Sequence, residues 1–291
     1  FKGKTKTYKQ WLIHNLLMIK TFIIENDPEN IAIYDAAGIS RIFIDLEING
    51  KAERQAGLNA VISNHNINDV ARAKKVIKNS KLLVRINPIN LNTEKEINEV
   101  IEAGADVVML PMFKYPDEVK RFIEYVNMRT KLSLLFETSE AFCRIDEILK
   151  IDGIDEAHIG LNDLHLSMGL DFLYEPMLYG QVEFLANKFK KYNIPFGVGG
   201  VAKMNEGELK GEIVIREHAR IGSSAVILSR AFKSSIDLKD VKNEVEKLQS
   251  VFLSALSSPD DKLYENKILL DKNVKKIIGK LHINHSNFYK K

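Results

Sequence analysis

The sequence predicts an α/β protein, specifically a (β/α)8 TIM barrel with extra C-terminal helices. Three observations point there. Short apolar runs alternate with amphipathic stretches from about residue 18 to about 230, the runs number eight, and they spread over roughly 210 residues, the count and length of such a barrel. Strand–helix repetition requires parallel strands joined by right-handed crossovers. An open doubly wound sheet is the structural alternative, but no Gly-rich dinucleotide fingerprint follows the early strands.

In order, the strand-like runs are KTFII (20–24), RIFIDL (41–46), LLVRI (82–86), DVVML (106–110), LSLLF (132–136), IDEAHI (154–159), IPFGV (194–198) and AVILS (225–229). Runs of this length bounded by polar or Gly residues suit parallel strands buried on both faces. Between the third and fourth, Thr93 can cap a helix presenting Ile97, Val100 and Ile101, ended by Gly104. A second helix starts after Pro116 with Val119, Phe122, Ile123 and Val126 on one face. A third carries Phe142, Ile145, Ile148 and Leu149 on a common stripe. These are core faces, and Cys143 beside them reads as a small core residue. The barrel is assigned to 1–231 and a helical extension to 232–291. In the extension, SSPDD is a turn between two helices whose Leu263, Ile268, Leu269, Val274 and Ile277 must be covered by the chain's own barrel or by a neighbouring subunit.

Composition excludes several classes. Forty-two basic against 39 acidic residues leave a net charge of +3, too balanced for a nucleic-acid partner. The stretch WLIHNLLMIKTFII is too short and polar to span a membrane and lacks a secretory cleavage site. A single cysteine fits a reducing compartment, and the expected location is cytoplasmic.

Chemistry in such barrels lives at the carboxyl ends of the strands. There the sequence places Asp45 and Glu47 after the second run, Arg85 and Asn87 at the third, Pro111 and Met112 after the fourth, and Glu137 after the fifth. Gly160, Asn162 and Asp163 follow the sixth, and Gly199 and Gly200 the seventh. Glu137 and Asp163, on neighbouring strands, form a hard anionic oxygen pair suited to Mg²⁺ or Mn²⁺. The alternative is that each merely caps the following helix. Arg85, inside an apolar run, implies an anionic partner: Asp45 or Glu47, or a carboxylate or enolate of a ligand. Gly160 would let backbone N–H groups approach an anion. No run carries a lysine at its carboxyl end, which argues against a Schiff base.

DLEINGKAERQ, VRIN, GADVVMLPMF, ETSEAF and IDEILKIDGIDEAHIGLNDLHLSMG, in this order between about 40 and 230, resemble the HpcH/HpaI aldolase and citrate lyase β-subunit family. The last two segments are the most specific. The resemblance implies a metal-dependent barrel enzyme in which Glu137 and Asp163 ligate a divalent metal, Mg²⁺ first, with Mn²⁺ or Co²⁺ as substitutes. It places Arg85 on the pyruvyl oxygen and draws Gly160, Asn162 and Asp163 into substrate binding, with Glu47 in the catalytic set. Two departures stand out: Ile48 occupies the position of the family's histidine, and Leu135 that of its glutamine. His165 is the nearest imidazole in sequence to a proposed ligand, and could serve as base, as a supporting partner of a ligand, or as a helix residue facing solvent.

The activity implied is a carbon–carbon lyase forming or cleaving a 2-oxo acid through a pyruvate-type enolate. The alternatives are a citrate lyase β-like or malyl-CoA-type acyl-CoA lyase, or a non-catalytic barrel that binds a metal and an acidic metabolite. The implied partners are a small 2-oxo acid or related carboxylate and further copies of the chain in a homo-oligomer, with neither nucleic acid nor membrane.

Overall fold

The computed structural model describes residues 18–50 and 64–288. Strands form at all eight apolar runs: β1 (Lys20–Ile24), β2 (Arg41–Asp45), β3 (Lys81–Arg85), β4 (Val107–Leu110), β5 (Lys131–Phe136), β6 (Glu156–Ile159), β7 (Phe196–Val201) and β8 (Ala225–Leu228). Each pairs in parallel with the next, and β8 pairs with β1, so the sheet is a closed barrel and the open-sheet alternative is excluded. Gly199 and Gly200 lie within β7, beside a register irregularity between Val198 and Val201, rather than after it.

The helices are α1 (Pro28–Ala36), α2 (Ile67–Val76), α3 (Thr93–Glu102), α4 (Pro116–Val126), α5 (Ser139–Cys143), α6 (Ile145–Ile148), α7 (Leu161–Ser167), α8 (Glu175–Leu178), α9 (Gln181–Lys191), α10 (Gly211–Ile221), α11 (Arg230–Ser234), α12 (Val241–Leu256) and α13 (Asp260–Phe288). Strand alternation sorts the core into two layers. One set of side chains packs between sheet and helices. The other, including Phe22, Phe43, Leu83, Met109 and Leu135, fills the barrel interior.

Two local expectations change, and the open question of the tail is answered in part. Thr93 is the first helical residue of α3 instead of its cap, and its hydroxyl accepts the Asn90 N–H at 2.8 Å. The third stripe breaks at Arg144 into α5 and α6, and this turn of the chain leaves Cys143 exposed instead of in the core. In the tail, α12 and α13 pack on α10 of the same chain. Leu270 and Val274 are buried there, and Asn266 Nδ2 donates to the Ile213 carbonyl at 3.1 Å. Ile268 and Leu269 remain 55% and 46% exposed, so this chain covers only part of the apolar surface. Among the described residues no helix is long and apolar enough to cross a membrane. Lys51–Gln55 of the DLEINGKAERQ motif, and the residues of WLIHNLLMIKTFII up to 17, lie outside the described residues.

Candidate active site

Five of the residues singled out in the sequence meet at the carboxyl mouth. Asp45 ends β2, Glu47 follows it, Arg85 ends β3, Glu137 follows β5, and Asp163 lies in the first turn of α7. Asp45, Glu47 and Glu137 are buried. Arg85 is gripped by Asp45 through Nε at 2.8 Å and Nη2 at 2.9 Å, and its Nη1 lies 3.3 Å from Glu47 Oε2. Both of the arginine's expected protein partners are therefore engaged. Burial opposes its charge, but Asp45, Glu47 and then Glu137 outweigh that and push the guanidinium pKa up. A guanidinium has five N–H donors, so this pairing leaves some for a ligand.

Glu137 is 2% exposed. Burial first, then the negative charge of Asp163, hold its carboxyl well above the usual range, against the pull of Arg85. It does not cap the helix that follows: Thr138 does, its hydroxyl accepting from the Ala141 N–H. Glu137 Oε1 instead accepts the Met112 N–H at 3.1 Å. Met112 reaches that position with φ of 54°, a left-handed backbone uncommon outside glycine, and such strain gathers at functional sites.

Gly160 is required for a reason the sequence does not show. Its N–H is spent on the Phe136 carbonyl at 3.0 Å, so it is not offered to a ligand. Its φ of −87° is open to any residue. What excludes a side chain is Glu137: a Cβ at this position would lie 2.6 Å from Glu137 Oε2 and 2.9 Å from Glu137 Cβ. Glycine is the socket of the carboxylate. Asn162 is exposed. His165 is buried, its Nδ1 3.2 Å from the Leu161 carbonyl one turn back. Two positions along a helix turn its Cβ direction about 200° from that of Asp163. Ile48 is 60% exposed, and Asn87 Oδ1 accepts its N–H at 2.9 Å.

Some mouth residues escaped the sequence reading. The Asp45 N–H donates to His65 Nδ1 at 3.0 Å, and burial holds this imidazole below its ordinary pKa despite the charges of Asp45 and Asp69. Glu25, at the end of β1, is buried and pairs with Lys233 Nζ at 2.8 Å. For His65 the available signal was the capping box Asn66–Asp69, which fixes the residue before it at a helix entry. Lys114 is paired with Glu140 at 2.8 Å, and this hydrogen bond raises its pKa, unlike a Schiff-base lysine.

Among the described residues no three His, Cys, Asp or Glu side chains converge as a complete metal cage. The donors that fit a hard cation are Glu137 and Asp163, whose mutual repulsion a divalent charge would relieve. Two carboxylates with water suit Mg²⁺.

Several solved structures that share this fold carry related names. An HpcH/HpaI aldolase/citrate lyase family protein from Burkholderia cenocepacia J2315 has a TM-score of 0.58 at 14% identity, covering 82% of this chain and 95% of that one. An HpcH/HpaI aldolase from Desulfitobacterium hafniense DCB-2 has a TM-score of 0.57 at 15% identity, covering 85% and 96%. The citrate synthase SbnG has a TM-score of 0.57 at 16% identity, covering 83% and 95%. At such identities these likenesses speak to fold. No curated protein matches the sequence. The sequence model of the HpcH/HpaI aldolase/citrate lyase family matches residues 19–175, more than half of the chain and every residue of the cluster around Glu137, and the chain belongs to that family.

Proposed function

We propose that the chain is a metal-dependent carbon–carbon lyase that forms or cleaves a 2-oxo acid through a pyruvate-type enolate. The observation that carries this reading is Glu137. It is a buried carboxylate held by a strained backbone N–H and seated against a glycine, in one electrostatic cluster with Asp163 and Arg85. Glu137 and Asp163 would hold the divalent ion, Mg²⁺ first, with Mn²⁺ or Co²⁺ as substitutes. Bound there, the ion would supply Lewis-acid polarisation of a carboxylate and keto oxygen.

The chain's own residues do the rest. Asp45 and Glu47 fix the plane of Arg85, so its remaining N–H donors are preorganised for the oxygen on which enolate charge develops. Met112 and Gly160 set the position of Glu137, and His165 supports α7 from its far face. The chain is further proposed to be cytoplasmic and to form a homo-oligomer through the uncovered face of α13, where Ile268 and Leu269 are exposed. A monomer by light scattering would contradict the oligomer. The reaction is tested by deuterium exchange into the methyl group of pyruvate, followed by NMR. Exchange with Mg²⁺, Mn²⁺ or Co²⁺ that stops in EDTA is expected, and no exchange with any of the three refutes the enolate. A thioester lyase is the second reading, favoured by the DLEING segment, and predicts that acetyl-CoA protects the protein against heat.

A further inference from the structure

The mouth that carries Glu137 is charged along one arc of its rim. Strand alternation brings the charged side chains Asp45, Arg85 and Glu137 there from β2, β3 and β5. The rim positions of β6, β7, β8 and β1 are uncharged residues: Gly160, Gly199, Ile227 and Ile24, with Asp163 above the first of them in α7. Ile24 and Ile227 pack on the interior cluster that includes Phe22, Phe43 and Leu135. Those three are 3% exposed or less, whereas the two isoleucines stay half-buried. Their uncovered surface therefore faces the open mouth.

Leu135 carries this apolar floor up to the carboxylate. Its Cδ1 lies 3.2 Å from the point a Cβ of residue 160 would occupy, the same point that is 2.6 Å from Glu137 Oε2. Polar groups beside the two isoleucines already have partners. Lys233 Nζ donates to the Ile24 carbonyl at 3.1 Å and pairs with Glu25 at 2.8 Å. Glu25 Oε1 accepts the Asn26 and Asp27 N–H groups, and the Ser229 hydroxyl accepts the Phe232 N–H at the start of α11.

In the closed ring β1 stands opposite β5. The interior of an eight-stranded barrel is only about as wide as the side chains that fill it. A ligand held at its head by Arg85 and Glu137 therefore extends onto Ile24 and Ile227. Hydroxyl groups in that part would lose water without gaining a partner, whereas methylene groups gain burial.

We propose that the substrate is a 4-hydroxy-2-oxo acid whose chain beyond C4 is hydrocarbon, and that Ile24 and Ile227 select it. This rests on the enolate reading above. In the cleavage direction the C3–C4 bond breaks and its electron pair stays on C3 as the enolate. The C4 hydroxyl proton passes to water and C3 then takes up a proton, which gives pyruvate and an alkyl aldehyde. The test runs the synthesis direction, with pyruvate, Mn²⁺ and either butanal or glyceraldehyde, the product followed by mass spectrometry and methyl exchange measured on the same samples. The kcat/KM for butanal is expected to exceed that for glyceraldehyde by about tenfold or more. That ratio should fall roughly tenfold in Ile24→Thr and in Ile227→Thr, and hold in Ile24→Val and Ile227→Val, which have the same shape without the hydroxyl. A ratio does not depend on how much of a variant is folded. Exchange without a butanal preference, or a ratio that both threonine variants leave unchanged, overturns this proposal and leaves the enolate reading standing. No exchange with any metal overturns both.

Discussion

Gly160→Ala isolates the geometry of the carboxylate from the chemistry of its neighbours. The backbone at 160 accepts alanine, since φ is −87° and ψ 88°. The added methyl would lie 2.6 Å from Glu137 Oε2, against ordinary contact at 3.4–4 Å, so the carboxylate must retreat by about 0.8 Å. Overpacking of this kind costs about 1–3 kcal/mol of stability. The functional loss should be larger, because a displacement of about 1 Å in a positioned group can cost about 100-fold in rate. The assay is pyruvate methyl exchange with saturating Mn²⁺, beside a urea melt. Gly197→Ala is the control. There a methyl would collide with His158 Nδ1 at 2.3 Å, a packing insult at least as severe, at the far end of the barrel. Gly160→Ala should lose exchange while remaining folded, and Gly197→Ala should lose stability while keeping exchange. Wild-type exchange and metal affinity in folded Gly160→Ala would refute the idea that glycine is there to seat Glu137.

Three further outcomes are expected. Asp45→Ala removes the bidentate partner of the largely buried Arg85 and should cost about 3–5 kcal/mol in urea unfolding, whereas a loss below about 1 kcal/mol would show that Glu47 suffices. Burial holds both His158 and His218 neutral in the fold, with pKa values of about 3 against an ordinary 6.5. Below 6.5 the unfolded chain takes up protons that the fold refuses, so stability should fall with pH from about 6.5 toward 3, by about 2 kcal/mol per histidine at pH 5. Replacing either residue by an apolar one should flatten that slope, and an unchanged slope would contradict the assignment. Cys143 is exposed, so a thiol reagent should label it without unfolding, and Cys143→Ser should change stability by no more than about 0.5 kcal/mol; a protected thiol would restore the core reading.

The strands were legible because a parallel strand covered on both faces reads as an apolar run, as LLVRI and LSLLF do. The acids were legible for the same reason, since Glu137 and Asp163 stand just beyond such runs. What supports them was not. The Met112 N–H that holds Glu137 comes from 25 positions away, across the gap between β4 and β5, and depends on a left-handed backbone with no glycine to announce it. Lys233 reaches Glu25 only because β8 closes on β1. Gly160 was singled out for close backbone approach to a ligand, but the room it leaves for the Glu137 carboxylate was not legible, because that is decided by tertiary contact. Cys143 was misread by extending one helical stripe through Arg144, where the helix breaks.

A divalent ion held by Glu137 would make the mouth an enolate-forming site. The most direct measurement is a Mn²⁺ titration by electron paramagnetic resonance on wild-type protein and Glu137→Gln, each sample then assayed for pyruvate methyl exchange. One bound ion per chain is expected in the wild type, with weaker binding in the variant and exchange reduced about 100- to 1000-fold. Equal Mn²⁺ binding and equal exchange in the two proteins would contradict it.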